Sequence, residues 1–79
     1  MKKQVSEQEL ITIANSRLQA MHGYEEGMQI YTASMEKHIL MMSGEFFLDA
    51  NGGATSKTVK AMPLYDELAK ELGNEYQVV

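Results

Sequence analysis

Apolar residues recur at three- and four-residue spacing in the first third of the chain. This series comprises Leu10, Ile11, Ala14, Leu18 and Met21. Such spacing places the side chains on one stripe of a helix. Just upstream, Ser6 and Glu9 have the spacing of a capping box, in which each side chain accepts a hydrogen bond from the other residue's backbone amide. Gly23 is a typical stop signal. The pattern predicts a helix over residues 6–22.

The middle of the chain fits two different periods. β-preferring residues favour a hairpin with strands at 28–35 and 38–43 that turns at Glu36-Lys37. A helical series is also present, formed by Met28, Tyr31, Met35, Ile39 and Met42. We favour the hairpin because the apolar run Phe46-Phe47-Leu48 predicts a third strand over 45–49. An unpaired strand would leave backbone donors and acceptors unsatisfied, so this strand needs neighbours.

A turn at Asn51-Gly52-Gly53 separates that strand from a second helical pattern. Thr55 or Ser56 is suited to cap a helix, but Pro63 disfavours helix at the residue before it. We therefore predict a helix over 63–72, with a longer, kinked helix as the alternative. The segment Tyr76–Val79 is β-like, and it either adds an edge strand or tucks under the last helix.

Together these elements predict a single α+β domain over residues 1–79 with the order α-β-β-β-α. Two helices would pack on one face of a three-stranded antiparallel sheet. The predicted core is Leu10, Ile11, Ala14, Leu18, Ile30, Ile39, Met41, Phe46, Leu48, Leu64, Leu68 and Leu72.

Composition narrows the classes of function. The 79 residues contain no cysteine, which excludes disulfides and thiolate metal sites. The start of the chain lacks the pattern of an export signal, and no apolar run approaches the roughly 18 residues that span a bilayer. We therefore expect a cytoplasmic protein without membrane contact. The net charge of −4 opposes non-specific attraction to nucleic acid. Seven methionines suit an adaptable core or a partner surface.

The sequence contains no motif with the residues and spacing that catalysis or a cofactor would require. A calcium loop starting at Asp49 would place Ala54 at its turn glycine and Lys60 at its bidentate glutamate. The two histidines, His22 and His38, lack neighbours that would form a catalytic relay. We therefore expect no catalytic residue, no metal and no cofactor. The leading hypothesis is a non-enzymatic module that binds another protein.

One segment has the chemistry of a ligand site. Gly53 supplies flexible backbone, Thr55 and Ser56 supply hydroxyl groups, and Lys57 and Lys60 add two positive charges in an acidic chain. That combination suits a phosphate group, if the glycine turn points its amides outward. The alternative function is therefore weak binding of RNA or of a phosphoryl ligand at residues 53–60. A small enzyme ranks third.

Two resemblances accompany this interpretation. The predicted order of elements, with Gly53, Ser56 and Lys57 before the last helix, resembles the double-stranded-RNA-binding domain, whose lysines meet phosphates. The stretch from Ser43 to Asp49, the threonine-rich Thr55-Ser56-Lys57-Thr58, and Glu75-Tyr76-Gln77-Val78 resemble the YciN-like family of short bacterial proteins. The second resemblance covers residues 43–79 best. It implies a cytosolic gammaproteobacterial protein and carries over no catalytic residue.

Overall fold

The computed structural model describes residues 2–79 and has the element order β-α-β-β-α-β. The elements are β1 (Lys3–Val5), α1 (Glu7–Gln19), β2 (Ile30–Glu36), β3 (Ile39–Gly44), α2 (Ser56–Glu75) and β4 (Tyr76–Val78). The predicted α+β class is confirmed. The strands form two separate two-stranded sheets, so the predicted three-stranded sheet is wrong.

Helix α1 begins with the predicted capping box. The Ser6 hydroxyl accepts from the Glu9 amide at 3.1 Å, and the Glu9 carboxylate accepts from the Ser6 amide at 3.3 Å. The buried stripe consists of Leu10, Ala14 and Leu18. The helix ends at Gln19 rather than at residue 22, because the amides of Ala20 and Met21 bond to carbonyls three residues back and tighten the last turn.

Strands β2 and β3 form the predicted antiparallel hairpin, and the helical alternative for this region is wrong. The register pairs Ala33 with Met42 and Glu36 with Ile39. The turn lies at Lys37-His38, one residue later than predicted, and Lys37 adopts a left-handed φ of 58°. Beside α2 the hairpin ends at Gly44, where a side chain would not fit. A Cβ there would lie 2.5 Å from the Gln29 carbonyl oxygen and 2.9 Å from the Tyr65 ring.

The predicted third strand over 45–49 does not form. Its backbone groups find partners outside any sheet: the Glu45 amide donates to the Gln29 carbonyl at 2.8 Å, and the Phe47 amide donates to the Thr58 hydroxyl at 2.6 Å. Leu48 makes only an isolated bridge to Ala54. The segment pairs these backbone groups with Gln29 and with the start of α2, so it needs no neighbouring strand.

Helix α2 is twice the predicted length. Thr55 caps its N-terminus, and the helix runs through Pro63 and past Gly73. Proline removes one donor and strains the helix, but α2 buries side chains on both sides of it, and this burial outweighs the local cost. The buried side chains are Thr58, Ala61, Tyr65, Leu68 and Leu72. Gly73 leaves space for Leu40, which packs directly against it. A Cβ at position 73 would lie 3.4 Å from the Leu40 Cβ.

The chain ends meet in the second sheet. Strands β1 and β4 are parallel, with Val5 paired to Val78, and the Val79 amide donates to the Val5 carbonyl at 2.9 Å. The C-terminal segment therefore pairs with the N-terminal strand and not with the hairpin. With an added strand at each end and no third central strand, the topology does not support the analogy to the double-stranded-RNA-binding domain.

The predicted core is largely correct along the helices and wrong around β3. Four residues predicted as core are exposed: Ile39, Met41, Phe46 and Leu48. Leu40 is buried instead, and because side chains alternate along a strand, Ile39 and Met41 must face outward. Ile11 and Leu64 are only partly buried. Core residues that the sequence did not indicate are Val5, Met28, Ala33, Leu40, Ala61 and Tyr65.

Candidate functional site

The predicted phosphate segment lies at the junction of a tight loop and the start of α2. Gly53 belongs to the loop, Thr55 is the helix cap, and Ser56, Lys57 and Lys60 fall in the first two turns. The five residues are therefore close in space. The structure also shows what their polar groups bind within the chain.

Both lysines contact the loop between α1 and β2. The Lys57 ammonium donates to the Glu26 carbonyl and lies 4.3 Å from the centroid of the Phe47 ring. The Lys60 Nζ lies 3.4 Å from a Glu25 carboxylate oxygen. These contacts offset part of the positive charge that the sequence suggested for a ligand.

The hydroxyl groups serve the backbone of Phe47. The Thr55 and Thr58 hydroxyls each donate to the Phe47 carbonyl at 2.6 Å, and the Thr55 hydroxyl also accepts from the Thr58 amide at 3.4 Å. Ser56 is exposed at the first position of the helix. The two threonines therefore fix the chain before α2.

The glycine turn points its amides inward, contrary to the expectation. The Asp49 carboxylate accepts from the Asn51 amide at 2.9 Å and from the Gly53 amide at 2.8 Å. The Gly52 amide donates to the Asp49 carbonyl at 3.0 Å. Asp49 thus occupies the place that an anion would take. Phosphate binding at residues 53–60 stays a prediction.

A second candidate site, which the sequence did not indicate, is a groove between β3 and α2. One part of the groove has a volume of about 530 Å³ and lies between Ile39–Met41 on the strand and residues 66–74 of the helix. A smaller part of about 120 Å³ continues past Asp66 to Gly44, Phe46 and Met62. Several apolar side chains are exposed along it: Ile39 at 65%, Met62 at 54%, Met41 at 51% and Phe46 at 49%. We call this the β3–α2 groove.

The outer edge of β3 is open along this groove. The Ala33 amide on β2 donates to the Glu7 carboxylate at 3.3 Å, so it points away from β3. In an antiparallel ladder, pairs that face each other alternate with pairs whose backbone groups face outward. The pairs Ala33–Met42 and Met35–Leu40 belong to the outward set. The backbone groups of Leu40 and Met42 therefore face the outer edge, where β3 has no strand partner within residues 2–79.

Charge changes sign along the open edge. Lys37 lies at its start beside His38, with Lys2 and Lys70 around the larger part of the groove and Asp66 where the two parts meet. Glu45 lies at its end, where its carboxylate accepts a hydrogen bond from the Tyr31 hydroxyl and raises the Tyr31 pKa above its ordinary value. An occupant of the edge would meet positive charge at one end and negative charge at the other.

Tyr65 holds the acidic end of the groove in place. Its hydroxyl donates to the Glu45 carbonyl at 2.9 Å, and its ring meets that of Phe46 edge to face, with centroids 6.4 Å apart. Burial raises the pKa of the Tyr65 hydroxyl above its ordinary value. The segment after β3 is therefore anchored to α2.

Neither histidine lies in a cluster that would bind a metal. His38 borders the β3–α2 groove, while His22 is exposed after α1. Within residues 2–79, no three side chains of the His, Cys, Asp and Glu types come together as a metal site. Over the same range, no helix combines the length and apolar character that crossing a membrane requires.

The structure is that of a small α+β domain with an open groove beside one strand. The family model described as "Protein of unknown function (DUF2498)" matches residues 1–79, so the chain belongs to that family. Searches of curated proteins and of solved structures found no match. The function therefore has to be inferred from the groove and the open strand edge.

Proposed function

We propose that this protein is a non-enzymatic module that binds an extended segment of another polypeptide along the outer edge of β3. One observation carries the proposal: the outward backbone groups of Leu40 and Met42 lie beside an open groove with exposed apolar side chains. Extended peptides bind such edges by adding a strand, with main-chain hydrogen bonds for affinity and pockets for alternate side chains.

The shape of the groove suits an added strand. Ala69 and Gly73 belong to the helix wall of the groove. Leu40 already packs against Gly73, while the small Ala69 leaves room for side chains of the incoming strand. On the other face of β3, Ile39 and Met41 would gain neighbours. An open edge with exposed apolar residues favours aggregation unless something covers it.

The charges select an orientation. A strand antiparallel to β3 would place its C-terminal end beside Lys37 and His38 and its N-terminal end beside Glu45. We expect this strand to carry an acidic residue at its C-terminal end, beside Lys37, and a basic residue at its N-terminal end, beside Glu45. Complementary charges steer association and fix the register.

Selection from a random peptide library tests the proposal. Peptides are selected for binding to the whole protein, and the bound peptides are then titrated into isotope-labelled protein while amide signals are followed. We expect selected peptides to shift Leu40 and Met42 first, with further shifts at Ala69 and Gly73. Retention of no peptide, or shifts confined to α1 or to residues 53–60, would contradict the proposal.

The alternative site at residues 53–60 has less support, because Asp49, Glu25 and the Glu26 carbonyl already occupy its donors and charges. We extend the proposal to the setting: a bacterial, cytoplasmic protein of the YciN-like type. The resemblance of residues 43–79 supports this setting.

A further inference from the structure

We infer that the strand received by β3 is β3 of a second copy of this chain, which rests on the proposed function of the same edge. The two copies would form a continuous four-stranded sheet in the order β2, β3, partner β3, partner β2. The inference has three supports: the direction of the backbone groups, the charges at the two ends of β3, and the apolar side chains that would be covered.

The backbone groups and the end charges together give the register. Two copies related by a two-fold axis pair the same strand with itself in antiparallel fashion. Leu40 and Met42 carry the outward groups, so each pairs with one of these two residues of the partner. The charges at the ends of β3 then select the pairing of Leu40 of one protomer with the partner's Met42. The axis then passes beside Met41. Each protomer supplies the donors and acceptors that the other one needs.

The same register pairs opposite charges twice. Lys37 of one protomer lies opposite the partner's Glu45, and Glu45 lies opposite the partner's Lys37. Within one protomer Lys37 lies in the hairpin turn and Glu45 follows the end of β3. The strand between them is about 20 Å long, so they cannot pair with each other. The change of charge sign along β3 is therefore complementary to itself under the two-fold rotation.

The apolar side chains on the outer face also find neighbours. Met41 faces the partner's Met41 across the axis, and Ile39 faces the partner's Ser43. These side chains are half exposed or more in one copy. Methionine adapts its shape to such a contact, and covering the side chains removes apolar surface from water.

Charge reversal tests the pairing. Sedimentation of the whole protein over a wide concentration range is expected to show a monomer that converts to a dimer. Lys37→Glu alone or Glu45→Lys alone should weaken the dimer by roughly tenfold, because each reversal creates two repulsive contacts. The double variant K37E/E45K should restore it, since the reversed charges attract again. Failure of the double variant to restore the dimer would overturn the register.

Matched variants separate the interface from the fold. Tyr31→Phe removes the hydroxyl that donates to Glu45 and keeps the charges, so dimerisation should be unchanged. Met41→Lys places two like charges on the axis and should abolish the dimer. Ser34→Lys adds the same charge to the neighbouring position on β2, which is paired with Met41, and should have little effect. Equal loss in both lysine variants would contradict the proposed axis.

The outcomes distinguish this inference from the proposed function. A protein that stays monomeric at every concentration, while selected peptides still shift Leu40 and Met42, overturns the second copy alone. A monomer that also binds no peptide at β3 overturns both. A dimer whose contacts map to α1 overturns the inference as well.

Discussion

The two outer edges of the β2–β3 hairpin are treated in opposite ways. On β2, the Asn15 side chain from α1 donates to the Ile30 carbonyl at 3.1 Å and accepts from the Ile30 amide at 2.7 Å, while Glu7 accepts from the Ala33 amide. Side chains of a helix thus take the place of a neighbouring strand. On β3, the corresponding groups of Leu40 and Met42 face an open groove.

The difference shows that this chain can engage a strand edge without adding a strand. Two side chains from α1 bind the edge of β2 at Ile30 and Ala33. The same device is not applied at β3, where exposed Ile39 and Met41 accompany the open edge. Natural proteins protect or cover such edges, so an edge left open beside a groove is the place to expect a partner.

The largest expected difference between the closed β2 side and the open β3 side is in the free energy of unfolding lost when an apolar side chain is truncated. Leu18 on α1 is fully buried, whereas Phe46 beside the β3–α2 groove is half exposed. Leu18→Ala should lower the free energy of unfolding by about 2–5 kcal/mol through lost burial and a cavity. Phe46→Ala should lower it by only about 1–2 kcal/mol, from partial burial and the contact with Tyr65. Denaturant unfolding measures both, and equal losses would contradict the contrast.

The closed edge should depend on Asn15. Asn15→Ala leaves the Ile30 amide and carbonyl without partners in a partly buried place, and we expect a loss of about 2–3 kcal/mol. Asn15→Asp is the control, because its carboxylate still accepts from the Ile30 amide but cannot donate to the carbonyl. It should lose less than Asn15→Ala. If Asn15→Ala unfolds at the same denaturant concentration as the native protein, side chains do not close this edge.

The smallest expected effect is a pH dependence of the stability contributed by an ion pair between α1 and α2. The Arg17 guanidinium on α1 donates to the Glu75 carboxylate on α2 and holds the pKa of that carboxyl below its ordinary value of 4.5. A lowered pKa in the folded state stabilises the fold above the ordinary value, and this contribution is lost as pH falls from about 4.5 through the lower value. Both side chains are well exposed, so salt weakens the pair.

Comparison of the native protein with Glu75→Gln isolates this pair. The difference between their free energies of unfolding should be present at neutral pH and vanish in acid. Exchange of the Leu40 and Met42 amides should be the same in both proteins, because neither Arg17 nor Glu75 lines the β3–α2 groove. A difference that grows in acid would contradict the assignment.

Local signals in the sequence were sufficient for part of the fold. The capping box at Ser6 and the stripe on α1 follow from short-range spacing. The hairpin was predicted correctly, but spacing alone also fitted a helix, and the third strand that decided between them does not form. The apolar run Phe46-Phe47-Leu48 misled because burial and strand pairing are tertiary properties: Thr55 and Thr58 take over the backbone of Phe47. Pro63 misled for a similar reason, since packing on both sides of it sustains α2.

The candidate sites, like the fold, were only partly predictable from the sequence. Composition located Lys57 and Lys60, but only the structure shows that Glu25 and Glu26 already engage them. The β3–α2 groove depends on which face of β3 points inward, and one residue of register decides that. The exposed Ile39 and Met41 were therefore predicted as core, and the open edge left no local signal in the sequence.

Hydrogen exchange of individual backbone amides tests the central contrast most directly. In dilute protein, the Ile30 and Ala33 amides should exchange slowly because Asn15 and Glu7 accept from them, while the Leu40 and Met42 amides should exchange rapidly at the open edge. At high concentration, Leu40 and Met42 should become protected and Ile30 and Ala33 should stay as they were. Slow exchange of Leu40 and Met42 in dilute protein, or no change in them with concentration, would contradict the open edge and its occupant respectively.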